Sequence, residues 1–312
     1  MAPKPQEGKP AQAVPITSPF AWLEASGRRA PALAAELRRI AAKPVHLVLY
    51  SDGVTPGDSF GHMKRKFTAV YFTFLDFGAQ TLSRDECWWV AAVVRESLLH
   101  SSAAGVSQLY KKVLASFFGR AHRRHDLRDG VTLRFLDGAP DVLLQGDLGV
   151  ILGDELGLKE AICCKGHAGT HPCALCFNVL LASDARCAPD GPLYPLTSVR
   201  VSSFQQHTDA SIRGIVDRLR VASRDTSRGH VGRMEKLQKD LGFNFEPEGW
   251  LAAADIPTDL ISTLMWDWMH IYFVTGVFET EVFWGRMWRC ILQGGYLAWE
   301  REGQGRGSRP RA

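Results

Sequence analysis

No apolar run in this 312-residue chain reaches the roughly 18 uninterrupted residues that a membrane-crossing helix needs, because Gln, Asp, Arg or His interrupts each stretch. No membrane partner is therefore expected. The N-terminus, MAPKPQEGKPAQAVP, has neither an apolar signal core nor an Arg-rich amphipathic pattern, which leaves secretion and organelle import without support. An intracellular, reducing compartment is the expectation. There are only seven cysteines, an odd number, and Cys163, Cys164, Cys173 and Cys176 fall within fourteen residues, which argues for metal over a disulfide framework. A large excess of either charge is also missing. With 37 basic and 33 acidic residues the net charge is +4, too small for a simple polycation, so any nucleic-acid role depends on where the charge sits. No internal repeat is found at any period. What is present, 46% apolar and 22% charged residues, matches a globular chain long enough for one large or two ordinary domains.

Residues 1–18, rich in proline, and residues 301–312, rich in Gly and Arg, read as disordered tails. Leu33, Leu37 and Ile40 mark a short amphipathic helix closed by Pro44. HLVLYSD (46–52) reads as a strand ending in a turn, and KFTAVYFTFLDFG (66–78) as a second, long strand. A helix capped by Ser83 or Asp85 then runs through Trp89, Val93 and Leu98. A second helix carries Leu109, Tyr110, Val113, Leu114, Phe117 and Phe118 and ends at Gly119. VTLRFL (131–136) and DVLLQGD (141–147) read as strands, the latter followed by a helical LGVILGDEL with Asp147 at its start. Residues 19–180 would thus form an α/β core. Residues 181–258 would be an insertion with a helical stripe of Ile212, Ile215, Val216 and Leu219. Residues 259–300 would hold a long buried helix, LISTLMWDWMHIYFVTGVFETEVFWGRMW.

Four groups of residues carry chemistry. Asp52 and Asp147 each close a strand. Two such carboxylates on neighbouring strands would bind Mg²⁺ or Mn²⁺, although Asp52-Gly53 is also a good turn and Asp147 a good helix N-cap. Cys173-x-x-Cys176 places two thiolates on one turn as a Zn²⁺ ligand pair requires. His171, His167, Cys163, Cys164 and the distant His270 are the available further ligands, and a redox pair or two buried thiols are the alternatives. On the late helix Asp267 lies about 60° and Glu281 about 20° around from His270, while Glu281 is about 16 Å along the axis, so it cannot share one metal with His270. Between Arg200 and Asp240, nine Lys or Arg face five Asp or Glu. Arg213, Arg218, Arg220, Arg224, Arg228 and Arg233 could bind DNA phosphates or simply form a solvated face.

Taken together, LYSDG (49–53), GDLGVILGDELGLKEAICCKGHAGTHPCALC (146–176) and DWMH (267–270) resemble the transposase core of CACTA and Plavaka type DNA transposons, over roughly residues 44–285. The resemblance implies an RNase H-like mixed sheet flanked by helices, with a mostly helical, zinc-stapled insertion. It makes Asp52 and Asp147 the first two acids of a D-D-E/D metal triad, with Asp267 and Glu281 competing as the third. Cys173, Cys176 and His270 become structural Zn²⁺ candidates, beside His171 from the local spacing. The implied function is two-metal DNA strand cleavage and transfer on transposon ends and target DNA, in the nucleus, with self-association left open. Tyr272 stands where such sequences commonly carry a Glu. A catalytically inactive relic, acting as a zinc-stabilised DNA- or protein-binding module, is therefore the alternative.

Overall fold

The computed structural model describes residues 16, 18–54, 66–119, 126–187, 191–198, 201–254, 256 and 259–266. At the N-terminal side α1 (Pro19–Arg29) and α2 (Pro31–Ile40) each begin on a proline, which is preorganised for a first helical turn. Pro44 then separates α2 from β1 (Val45–Val54). Strand alternation sends Val45, Leu47, Leu49 and Ser51 to one face of β1 and His46, Val48, Tyr50 and Asp52 to the other. β2 (Phe67–Phe74), mostly β-branched and aromatic, runs antiparallel to β1 with Leu49 opposite Phe72 and Asp52 opposite Ala69.

After α3 (Ala79–Leu82), β3 (Trp89–Arg95) pairs antiparallel with β2, and α4 (Glu96–Ser101) and α5 (Gly105–Phe118) follow. β4 (Val131–Leu133) and β5 (Val142–Leu144) form a small antiparallel pair of their own. β6 (Gly146–Gly153) lies parallel to β1 on the side away from β2 and leads into α6 (Glu155–Ala161). Beyond it come the two-residue strands β7 (Val179–Leu180) and β8 (Tyr194–Pro195). The helices α7 (Asp209–Ala222), α8 (His230–Leu241) and α9 (Leu260–Thr263) follow, then β9 (Leu264–Trp266). The main sheet has the order β3-β2-β1-β6-β9, so the chain is mixed α/β with a mixed five-stranded sheet flanked by helices. No described helix is long and apolar enough to cross a membrane.

The core lies on the Ser51 side of β1. There α5 buries Leu109, Tyr110, Val113, Leu114, Phe117 and Phe118, the stripe expected from its 3.6-residue period. Phe117 meets Phe72 edge-on at 5.1 Å and Phe20 of α1 at 5.9 Å, and Phe72 stacks on Trp89 at 5.4 Å. Gly146 lets β6 close on β1, since a Cβ there would sit 2.1 Å from the Val45 carbonyl oxygen.

Three sequence expectations are corrected. Trp89–Arg95 is a strand and not part of a helix: Trp89 and Val93 have helical spacing, but the β-branched run is recruited by the open edge of β2. LGVILG is also strand, and the helix starts only at Glu155, capped by Asp154 in place of Asp147. The supposed long helix from Leu260 stops at Thr263, whose hydroxyl bonds back to the Asp259 carbonyl at 2.6 Å, and Leu264–Trp266 extends beside β6. Residues 267–300 lie outside the described residues, as do both predicted tails except for residues 16 and 18.

Candidate functional site

The register of β1 against β6 decides which acids meet. His46 lies opposite Asp147, and Ser51, the last registered residue of β1, lies opposite Gly153. Asp147 is therefore six residues, about 20 Å of strand, away from Asp52. Its Oδ1 accepts from the neighbouring Leu148 N–H at 2.8 Å. The expected pairing of Asp52 with Asp147 is thus not present: Asp147 begins its strand instead of ending it.

The acids that the register brings level are Asp52 and Asp154, each one step beyond the Ser51–Gly153 pair. Asp154 keeps an extended backbone (φ −68°, ψ 167°), continuing the strand, and then caps α6 by accepting the Gly157 N–H on Oδ1 at 2.6 Å. Asp52 is exposed and Asp154 half-buried. Behind them the Tyr110 hydroxyl donates to Ser51 Oγ at 2.7 Å. Burial pushes the Tyr110 phenol up to about 12, and the neighbouring Asp154 charge adds to that. Asp154 also reaches Glu160 electrostatically. The Glu160 carboxyl is raised first by desolvation, although the residue as a whole is exposed. A sequence signal for Asp154 existed: Gly153-Asp154 ends the apolar run Val150-Ile151-Leu152 as Asp52 ends HLVLYS. Asp267 and Glu281, the expected third acids, lie outside the described residues.

The cysteine segment is sewn to both ends of the basic helices by its backbone. Cys164 bridges Phe243, Lys165 N–H donates to the Gly242 carbonyl at 2.8 Å, and Asn244 N–H donates to that of Cys163 at 2.8 Å. On its other side Cys176 bridges Gln206, and His207 N–H donates to the Leu175 carbonyl, inside the C-x-x-C turn, at 2.7 Å. Gly242, with φ +80°, fits against His171, where a Cβ would come 2.6 Å from the carbonyl oxygen.

Burial, then the Cys173 charge, pushes the Cys176 thiol up. Burial lowers His171, and it lowers His207 to about 4 with the His171 charge adding. His207, which no sequence pattern marked, is buried with Nδ1 2.9 Å from Ser211 Oγ. Among the described residues no three His, Cys, Asp or Glu side chains gather closely enough to hold an ion. His270, the fourth expected zinc ligand, lies outside them.

The six arginines divide into two sets. Arg213 pairs with Asp259 at 3.1 Å, Arg220 pairs with Asp217, and Arg233 pairs with Asp225 at 2.6 Å. Arg218, Arg224 and Arg228 are exposed, and their side chains form no ion pair among the described residues. These three are the side chains left to meet an anion.

No protein-family model matches this chain, and no curated protein matches it.

Proposed function

We propose that this chain is the catalytic core of a DNA transposase, with an RNase H-like fold, cutting and joining DNA strands with divalent metal ions. The observation that carries the reading is that Asp52 and Asp154 each stand one residue beyond the Ser51–Gly153 pair of two parallel neighbouring strands. The mixed sheet with helices around it supports the fold assignment, and the resemblance to CACTA and Plavaka transposases supplies the reaction.

Two carboxylates suit Mg²⁺ or Mn²⁺, which take one or two from protein and fill the remaining positions with water and phosphate oxygens. Such ions, when bound, generate the nucleophile and stabilise charge on the phosphate. The chain's own part is positional. Gly157 N–H holds Asp154 Oδ1, so Oδ2 is the oxygen left for binding, and exposed Asp52 faces solvent from which a phosphodiester can approach. DNA cleavage by the full chain in Mn²⁺ tests this reading. Labelled duplex should be nicked by the parent and left intact when Asp52 or Asp154 is changed to Asn, and an inert parent would overturn it.

DNA would be held by Arg218, Arg224 and Arg228. Replacing all three by Gln is expected to weaken binding and reduce the slope of log affinity against log salt by about 2–3, the release expected for three phosphate contacts. An unchanged slope removes these arginines from the interface.

Zinc belongs to this reading as a structural element only. Among the described residues no three donors gather, so the set does not close around an ion. Metal analysis is expected to find about one zinc per chain, lost in Cys173→Ser, as a single four-ligand structural site requires. A folded, zinc-free parent excludes it. Tyr272, standing where such sequences commonly carry a Glu, is the observation that favours the second reading, a catalytically inactive relic that binds DNA or protein. A nuclear site of action follows from the transposase reading alone.

A further inference from the structure

Directly behind the paired acids runs a chain of buried contacts that ends far along the sequence. Ser51 precedes Asp52, lies opposite Gly153, and is 8% exposed. It occupies the face on which Val45, Leu47 and Leu49 are all buried apolar residues, so a hydroxyl there needs a partner. Tyr110, fully buried in α5, supplies it at 2.7 Å.

The Tyr110 ring is in turn stacked on Trp250, centroids 6.1 Å apart and planes 22° from parallel. Trp250 is fully buried too, and its backbone N–H donates to Ser107 Oγ at 3.0 Å, one helical turn before Tyr110. Gly249 permits that approach, since a Cβ there would stand 2.9 Å from the same oxygen.

Stability does not account for a hydroxyl pair at this place. Two apolar side chains of similar shape would fill the space about as well, because a satisfied buried polar pair gains little over a packed apolar one. What the pair adds is direction. A hydrogen bond fixes the Ser51 side chain at one point, and Ser51 is joined covalently to Asp52 and lies opposite the residue before Asp154.

We propose that Tyr110 is a positioning residue: its hydroxyl, braced by Trp250, fixes Ser51 and thereby the spacing at which Asp52 and Asp154 present their carboxylates to a divalent cation. This rests on the reading of Asp52 and Asp154 as the cation-binding pair. The two carboxylates stand one residue beyond the Ser51–Gly153 pair, where the register between β1 and β6 ends. Their separation is therefore set from below, by the residue to which the tyrosine is bonded.

Mn²⁺ affinity of the full-length chain, measured from the electron paramagnetic resonance signal of free Mn²⁺, tests this without relying on turnover. Tyr110→Phe keeps the ring and its stacking on Trp250 and removes only the hydroxyl. Ser51→Ala removes the other half of the bond and keeps the inference testable should the tyrosine variant misfold. Each is expected to weaken Mn²⁺ binding about tenfold, the lower end of what loss of an outer-shell partner costs. The double variant should be no worse than either single one, because both delete one interaction.

Leu23→Ala, a buried change in α1 outside this chain of contacts, should lower stability and leave Mn²⁺ affinity in place. If Asp52→Asn and Asp154→Asn abolish binding while Tyr110→Phe and Ser51→Ala do not alter it, the positioning role is wrong and the acid pair stands. If the parent binds no Mn²⁺, or the two Asn variants bind as the parent does, the acid pair falls and the positioning role falls with it.

Discussion

Asp154→Asn is expected to slow Mn²⁺-dependent DNA cleavage about 10³-fold, while Asp147→Asn leaves the rate within a factor of about two. The magnitude follows from losing an ion's stabilisation of phosphoryl charge, worth several kcal/mol at about 1.4 kcal/mol per decade of rate. The choice of Asn isolates the cause. Asn is as good an N-cap as Asp, so the hydrogen bond from Gly157 N–H that starts α6 is retained, and only the charge and one ligand oxygen are lost.

Asp147 serves as the control because it sits across from His46, at the other end of the sheet from Asp52. Rates for the two variants, with urea midpoints to show that both are folded, decide between them. Full activity in Asp154→Asn together with loss in Asp147→Asn would remove the register argument.

That control exists because the sequence contains two Gly-Asp pairs, at 146–147 and 153–154, and local pattern could not say which one ends a strand. Reading DVLLQGD as a strand made Asp147 its end. In the fold that segment is split between β5, which pairs with β4, and β6, which starts at Gly146 because β1 offers a parallel partner.

The same kind of long-range choice hid β3. Trp89 and Val93 are spaced as on a helix, and only the open edge of β2 makes them strand. Where local and tertiary preferences agree, the elements were legible. β1 and β2 are apolar runs rich in β-branched and aromatic residues, and the buried stripes of α5 and α7 recur at the helical period. His207 and Trp250 had no such period. Each matters because of a partner distant in sequence, Leu175 for one and Tyr110 and Ser107 for the other.

Trp250→Ala is expected to be the most destabilising of the substitutions considered, at about 3–5 kcal/mol, the usual cost of emptying a buried Trp site. A domain has only about 5–15 kcal/mol in hand, so the variant should lose more than about 1 M in its urea midpoint at a slope of roughly 2–3 kcal/mol/M. The cost has three sources on one residue: a fully buried indole, its stacking on Tyr110 at 6.1 Å, and a backbone bond to Ser107 that the emptied site no longer holds in place.

Trp250 follows the basic helices and Tyr110 belongs to the helix under the sheet, so the residue couples the two regions. Protease cleavage between residues 209 and 241 should accordingly appear at lower urea than global unfolding in Trp250→Ala, and together with it in the parent. Trp250→Phe, which keeps a ring against Tyr110, should recover most of the loss. A midpoint shift equivalent to less than about 1 kcal/mol in Trp250→Ala would mean that the basic region docks through other contacts. The Tyr110 hydroxyl would then have to hold Ser51 without a brace, and Mn²⁺ affinity would follow Tyr110→Phe but be indifferent to Trp250.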